Sequence, residues 1–270
     1  MSSQPTLLLL KLGGAIITDK ERPMTVRSDV LRRLVQEVAR ARQELGPDVW
    51  LIIGHGSGSF AHVPAKRYGT MDGFQDADGR LGMAIVQDAA AQLNRIVVEE
   101  FLHAAVPAVS LYPSNTVVLK DRQVLADFPT VGEAYLHQGL VPVTCGDVLV
   151  DTAQGCTIWS TEDVLAHWAK RALAARWRVL SVVHVTEVVG VLDAQGNLAP
   201  TVTPASWPSI EKAITETKGV DVTGGMGKKL VESLSLAKMG VHSKILSGLT
   251  ENNLFQALVG EPWVGTTVHA

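Results

Sequence analysis

At 270 residues the chain is long enough for one large domain with a sizeable core, and 46% apolar with 19% charged residues is the mix of a globular protein. A formal net charge of -3 excludes a broad basic field for nucleic acid, so any anionic ligand has to be drawn by a local group of cations.

In chain order, residues 6–12 are apolar except Thr6 and Lys11 and predict a buried strand. Over 28–45, Leu31, Leu34, Val35 and Val38 recur at helical spacing, with Ser28 as the expected N-cap and Gly46 as terminator. A strand over 49–53 is followed by a glycine-serine turn over 54–60, a long helix over 81–105 and a short strand over 107–111. Residues 117–119 and 124–126 flank Lys120-Asp121-Arg122-Gln123 and predict an inserted β-hairpin. Thr130 and Glu133 have the spacing of a capping box for a short helix ending near Gly139. A strand over 141–144, a helix over 161–175, an apolar strand over 179–185, a helix over 224–239 and strands over 243–246 and 263–268 complete the series. Buried strands alternating with helices predict an α/β chain, an αβα sandwich on a mostly parallel sheet. A division into two lobes falls near 155–161.

Cys145 and Cys156 lie outside any CxxC pair and give no zinc or redox motif. The run Leu7 to Leu10 is too short for a signal segment, and no apolar run reaches the roughly 18 residues of a membrane span. A cytoplasmic protein without membrane or nucleic-acid partners is expected.

Three glycine-rich turns follow apolar runs: Gly13-Gly14, Gly54 to Ser59, and Thr223-Gly224-Gly225-Met226-Gly227. Such turns let backbone N–H groups converge on an anion at the carboxyl ends of parallel strands. Standard motifs fail. A Walker A loop is broken by Val222 and Lys229, a GxGxxG by Ser59, and no GxSxG elbow frames Ser57 or Ser59. Lys11 ends an otherwise apolar strand, where a lysine is seldom buried without a partner. Lys20 follows in a loop, and Lys228-Lys229 enters a helix after the third turn.

Lys11-Leu12-Gly13-Gly14 with Ile17-Thr18-Asp19-Lys20, the segment His55-Gly56-Ser57-Gly58-Ser59-Phe60-Ala61-His62, and Asp221-Val222-Thr223-Gly224-Gly225-Met226 resemble the amino acid kinase superfamily. Within it they look most like the isopentenyl phosphate kinases, and the resemblance runs from Lys11 to the C-terminal strand. Ser57 and Ala61 stand where that family has glycines, and Thr186-Glu187-Val188-Val189-Gly190 replaces its T-D-V-D-G.

The resemblance implies the amino acid kinase fold, with an acceptor-binding lobe over 1–158 and a nucleotide-binding lobe over 159–270. It implies transfer of a phosphoryl group from ATP, with Mg²⁺, to isopentenyl phosphate in isoprenoid biosynthesis, by a homodimer. Lys11, Lys20, His62 and Asp163 are the implied catalytic residues. Gly56, Ser57, Gly58, His62 and Gly146 would hold the acceptor phosphate, with the Ser57 hydroxyl a possible further contact. Lys11, Gly13, Gly14, Thr186, Gly190, Gly225, Met226 and Lys229 would hold the nucleotide. The apolar tail is expected against 83–85 and 131–136, and His55 is expected to be structural. A phosphonate kinase of the fosfomycin type and a non-catalytic nucleotide sensor are the competing expectations.

Overall fold

The computed structural model describes residues 4–216 and 225–270. β1 (Thr6–Leu12) runs into a single helical turn, α1 (Gly14–Ile17), and α2 (Ser28–Leu45) returns the chain to β2 (Val49–His55). Two packed helices, α3 (Gly58–Tyr68) and α4 (Gly79–His103), precede β3 (Ala108–Ser110). Then come β4 (Val117–Lys120), β5 (Gln123–Asp127), α5 (Thr130–His137), β6 (Val141–Cys145), β7 (Asp147–Asp151) and β8 (Gly155–Trp159). The remainder is α6 (Thr161–Ala174), β9 (Arg178–Thr186), β10 (Thr201–Val202), α7 (Trp207–Glu216), α8 (Gly227–Ala237), β11 (Ser243–Ser247), α9 (Asn253–Val259) and β12 (Thr266–Val268).

Among the described residues eight strands form one sheet in the order β10-β12-β11-β9-β1-β2-β6-β3, parallel throughout except where β11 meets β12. From β1 the early strands spread to one side and the late strands to the other. The winding therefore reverses at β1, and ligands of such sheets bind beyond the carboxyl ends of the strands at that point.

The pleat of β1 decides what lies on each face. Leu8, Leu10 and Leu12 pack with Leu31, Leu34, Leu93, Val97 and Leu254 from α2, α4 and α9. Leu7 and Leu9 pack on the opposite face with Val164, Leu165, Trp168 and Ala169 of α6. Side chains alternate along a strand, so Lys11 shares the α6 face.

Several local expectations are corrected. The inserted hairpin is present as the antiparallel pair β4 and β5, and it is also half of a second sheet, ordered β5-β4-β7-β8. Its turn, with Asp121 and Arg122 at φ 50° and 63°, donates both backbone N–H groups to the buried Asp151 carboxylate at 3.1 and 2.7 Å. The strands β7 and β8 add to the predicted elements, and β8 occupies residues 155–159. Ser28 is the first helical residue of α2 and caps nothing; Arg27 precedes it. No box forms at Thr130, because Glu133 turns to Arg171 at 2.9 Å. The capping box is at the head of α6, between Ser160 and Asp163. Residues 54–55 extend β2, and 58–60 already belong to α3. Among the described residues no helix is long and apolar enough to cross a membrane.

Candidate active site

The first two glycine turns lie against each other at the carboxyl ends of β1 and β2. A Cβ on Gly56 would stand 2.6 Å from the Gly14 nitrogen, so only glycines permit this backbone contact. Gly58 adopts φ 49° beside Thr18, whose hydroxyl donates to Gly14 O at 2.8 Å and accepts from Ser59 N at 3.0 Å. Gly13 donates to Val185 O and Gly56 to Leu12 O, both at 2.9 Å, fixing the turns to the sheet. Ser57 donates its hydroxyl to Gly146 O at 3.1 Å. That bond joins two of the expected acceptor residues and engages the Ser57 hydroxyl proton with protein.

Beneath the turns is a buried ionic group. Lys11, 8% exposed, pairs with Glu162, 7% exposed, in the first turn of α6. Lys229, at the start of α8 and also 7% exposed, approaches the same carboxylate oxygen at 3.8 Å and donates to Gly225 O at 3.2 Å. Burial pushes the Glu162 carboxyl up, but the Lys11 and Lys229 charges outweigh it and hold the group at about 2. Burial, with the Lys11 charge, brings Lys229 down to about 8. His184 of β9 is in register with Lys11 and therefore on the same face. Burial, then the Lys229 charge, lowers it to about 3, so the ring is neutral, and its Nδ1 has no hydrogen-bond partner among the described residues.

His55 is fully buried, with its pKa brought to about 4 by burial. Its Nδ1 lies 3.2 Å from Gly56 O and its Nε2 3.2 Å from the Asn94 amide, two contacts that fit a neutral structural ring donating through Nδ1. Asp147, next to Gly146, is buried and raised by that burial, and it accepts from Val148 N and Ser114 N at 2.8 and 3.2 Å.

The structure brings Lys11, Gly13, Gly14, Gly56, Ser57, Gly58, Gly146 and Lys229 to the carboxyl end of the central strands. His62 is exposed on α3, one turn beyond Gly58. Lys20 is exposed and pairs with Glu187 at 2.5 Å rather than joining the buried group. Asp163, an implied catalytic residue, pairs with neither Lys11 nor Lys229. Its carboxylate caps α6 through Ser160 N and Oγ at 2.9 and 2.7 Å and meets Lys228 at 2.6 Å. Glu162, one position earlier, makes the contact instead. The capping box offered the signal: with Asp163 turned back onto Ser160, its neighbour is left to face the sheet. Thr186 spends its hydroxyl on Val188 O at 2.8 Å, and Gly190 is buried where a Cβ would meet Leu198 and Thr266. A Cβ at Gly225 would meet nothing within 4 Å among the described residues, and Met226 packs with the cluster of Val191, Ile210 and Leu230. Asp221, Val222, Thr223 and Gly224 of the third motif lie outside the described residues.

Met83, of the segment expected to receive an apolar tail, adjoins Ala61, Ala65, Val86 and Ile158 under α3. Leu136, of the other such segment, packs with Trp168 in a separate cluster.

A model of the amino acid kinase family matches residues 6–247. The chain belongs to the amino acid kinase family. Of this family, the isopentenyl phosphate kinase of Methanothermobacter thermautotrophicus is 31% identical, covering 97% of this chain and 98% of its own. That of Methanocaldococcus jannaschii is 29% identical over 94% and 96%. A crystal structure of an isopentenyl phosphate kinase superposes with a TM-score of 0.81 at 26% identity, covering 97% of this chain and 99% of that one. Acetylglutamate kinase of Cupriavidus metallidurans aligns with only 53% of this chain, at 30% identity.

Proposed function

We propose that this member of the amino acid kinase family phosphorylates isopentenyl phosphate with ATP, giving isopentenyl diphosphate and ADP for isoprenoid biosynthesis. The observation that carries the reading is the buried Lys11–Glu162–Lys229 group directly under two interlocked glycine turns. Two ammonium groups share one carboxylate, so the site presents net positive charge without rearrangement. The full-length likeness to isopentenyl phosphate kinases supports the choice of acceptor.

The acceptor is a phosphate monoester whose oxygen is already anionic near neutral pH, so the chemistry asks for no strong general base. What has to be overcome is repulsion between two polyanions. Lys11 and Lys229 would neutralise the transferring phosphoryl and the nucleotide phosphates, with Lys20 closing from the loop above. Glu162 keeps the two buried ammoniums in place. The Gly56–Gly58 turn, Gly146 and His62 would hold the acceptor phosphate. An acceptor oxygen attacks the γ-phosphorus in line, the bond to the β,γ-bridging oxygen breaks, and ADP leaves with its electron pair. Mg²⁺ would enter as Mg·ATP, a substrate whose metal is held mostly by phosphate and water.

The prenyl tail would lie beside α3 along the Met83 segment, where Met83 and Ile158 are the partly buried members of the cluster of Ala61, Ala65 and Val86. Residues 1–158 would serve the acceptor and 159–270 the nucleotide, on the two sides of β1. A cytoplasmic homodimer completes the reading; the two free cysteines fit a reducing compartment, and light scattering measures the dimer.

The test is ADP release from Mg·ATP with isopentenyl phosphate, fosfomycin, N-acetylglutamate and UMP as separate acceptors. The expected result is turnover with isopentenyl phosphate, with a diphosphate product in the ³¹P NMR spectrum. Turnover with fosfomycin alone overturns the acceptor. ATP binding without any turnover means a sensor. His62→Ala is expected to lower kcat/KM for isopentenyl phosphate on the order of 100-fold.

A further inference from the structure

Arg27 has no place in the site as built from the sequence, yet it shares a carboxylate with one of that site's lysines. Residues 18–26 form a closed strap. Thr18 bridges Val26, Asp19 N donates to Thr25 O at 2.9 Å, and Arg27 N donates to Ile17 O at 2.9 Å. Lys20 and Arg27 are thus delivered from the two ends of one small ring. Both reach Glu187: the Lys20 ammonium meets Oε2 at 2.5 Å and the Arg27 Nη1 meets Oε1 at 3.2 Å.

The position of this pair matters. Glu187 follows Thr186 at the carboxyl end of β9, beside β1 and the Gly13-Gly14 turn that bonds Val185 O. The strap is also docked on the second glycine turn, through Met24 N to Ser59 O at 3.2 Å. Two cations therefore converge on one anion at the edge of the phosphate site. The Lys20, Arg27 and Glu187 side chains are 64%, 34% and 30% exposed, so water and a ligand reach all three. An ion pair this exposed is weak and exchangeable, and a polyphosphate offers more charge and more acceptor atoms than one carboxylate.

We propose that Arg27 is a further cation of the phosphoryl clamp, and that the Glu187 carboxylate is a stand-in anion holding Arg27 and Lys20 until the nucleotide phosphates displace it. The guanidinium fork suits two phosphate oxygens at once, a geometry a lysine lacks. The proposal rests on the kinase reading but not on the identity of the acceptor.

The experiment measures ATP affinity by calorimetry without acceptor, then kcat and KM with Mg·ATP, for Glu187→Gln, Arg27→Gln and Arg27→Lys. A purely structural ion pair is broken alike by the first two, and both then shift in the same direction. A displaced stand-in gives opposite signs. Glu187→Gln is expected to tighten ATP roughly threefold to tenfold, because a competing anion is gone. Arg27→Gln is expected to weaken ATP and lower kcat/KM by about tenfold or more for every acceptor, with Arg27→Lys in between. Shifts of the same sign, or an Arg27→Gln variant that binds and turns over like the parent, overturn the proposal. If the parent binds ATP but leaves isopentenyl phosphate untouched, the acceptor assignment fails while the opposite-sign test still reads out. A parent that binds no ATP sinks both.

Discussion

Two groups in this molecule have the same composition, two cations to one carboxylate, and opposite surroundings. Lys11, Lys229 and Glu162 are buried between β1, α6 and α8; Lys20 and Arg27, from the two ends of the strap, lie open against Glu187 at the end of β9. In the buried group, desolvation and close charges move protonation far from ordinary values, and the geometry is set before any ligand arrives. In the exposed group water screens the charges, and the partners can be exchanged. A preformed floor with a displaceable rim is a physical division of labour for binding polyphosphate, and it arises from burial rather than from residue type.

The largest test breaks the floor. Glu162→Ala leaves two buried ammoniums without their carboxylate and is expected to cost about 3–5 kcal/mol of stability in urea unfolding. Glu187→Ala, the matching change at the rim, is expected to cost under about 1 kcal/mol. Equal losses would erase the contrast.

Acid is the next test. His55 and His184 titrate at about 4 and about 3 in the folded chain, below the ordinary 6.5. The unfolded chain therefore takes up their protons first, and stability falls as the pH drops below about 6.5. The loss is on the order of 2 kcal/mol per histidine by about pH 5. The Glu162 carboxyl acts lower: its contribution is present above its ordinary 4.5 and is lost as the pH falls toward about 2. His184→Leu should flatten the upper part of the stability curve measured by urea unfolding.

A smaller effect is expected on the alkaline side. Lys229 loses its proton above about 8 in the free protein, and phosphate binding needs the ammonium. The KM for ATP should rise up to about tenfold per pH unit above that point. Lys229→Arg should remove the knee, since a guanidinium stays charged. The smallest effect separates neighbours. Asp163→Ala removes the Asp163 half of the α6 capping box, leaves the Ser160 cap, and is expected to cost under about 1 kcal/mol. Its loss of ATP affinity, by calorimetry, should be well below that of Glu162→Gln.

The regular part of the fold was legible because it depends on local pattern. The apolar runs of β1, β2, β6 and β9 and the helical spacing of α2 and α6 each state their period within a few residues. The second sheet was not legible. β7 begins directly after the Gly146 turn and, among the described residues, β8 pairs only with β7, so their short runs resemble loop until the partner strand is known. Capping was misread at Ser28 and Thr130 for a related reason: the side chain that fits the spacing has its neighbours chosen elsewhere, as Glu133 is by Arg171.

By itself the sequence determined the class of fold, the three glycine turns with their lysines, and the kinship those motifs carry. Each is written in contiguous residues. Only the tertiary structure decided that Glu162 rather than Asp163 joins Lys11 to Lys229, that His184 lies beside them, and that Arg27 meets Lys20 at Glu187. These pairings join residues far apart in the chain. Their protonation depends on how much water the packing excludes, a quantity that no local pattern of residues contains.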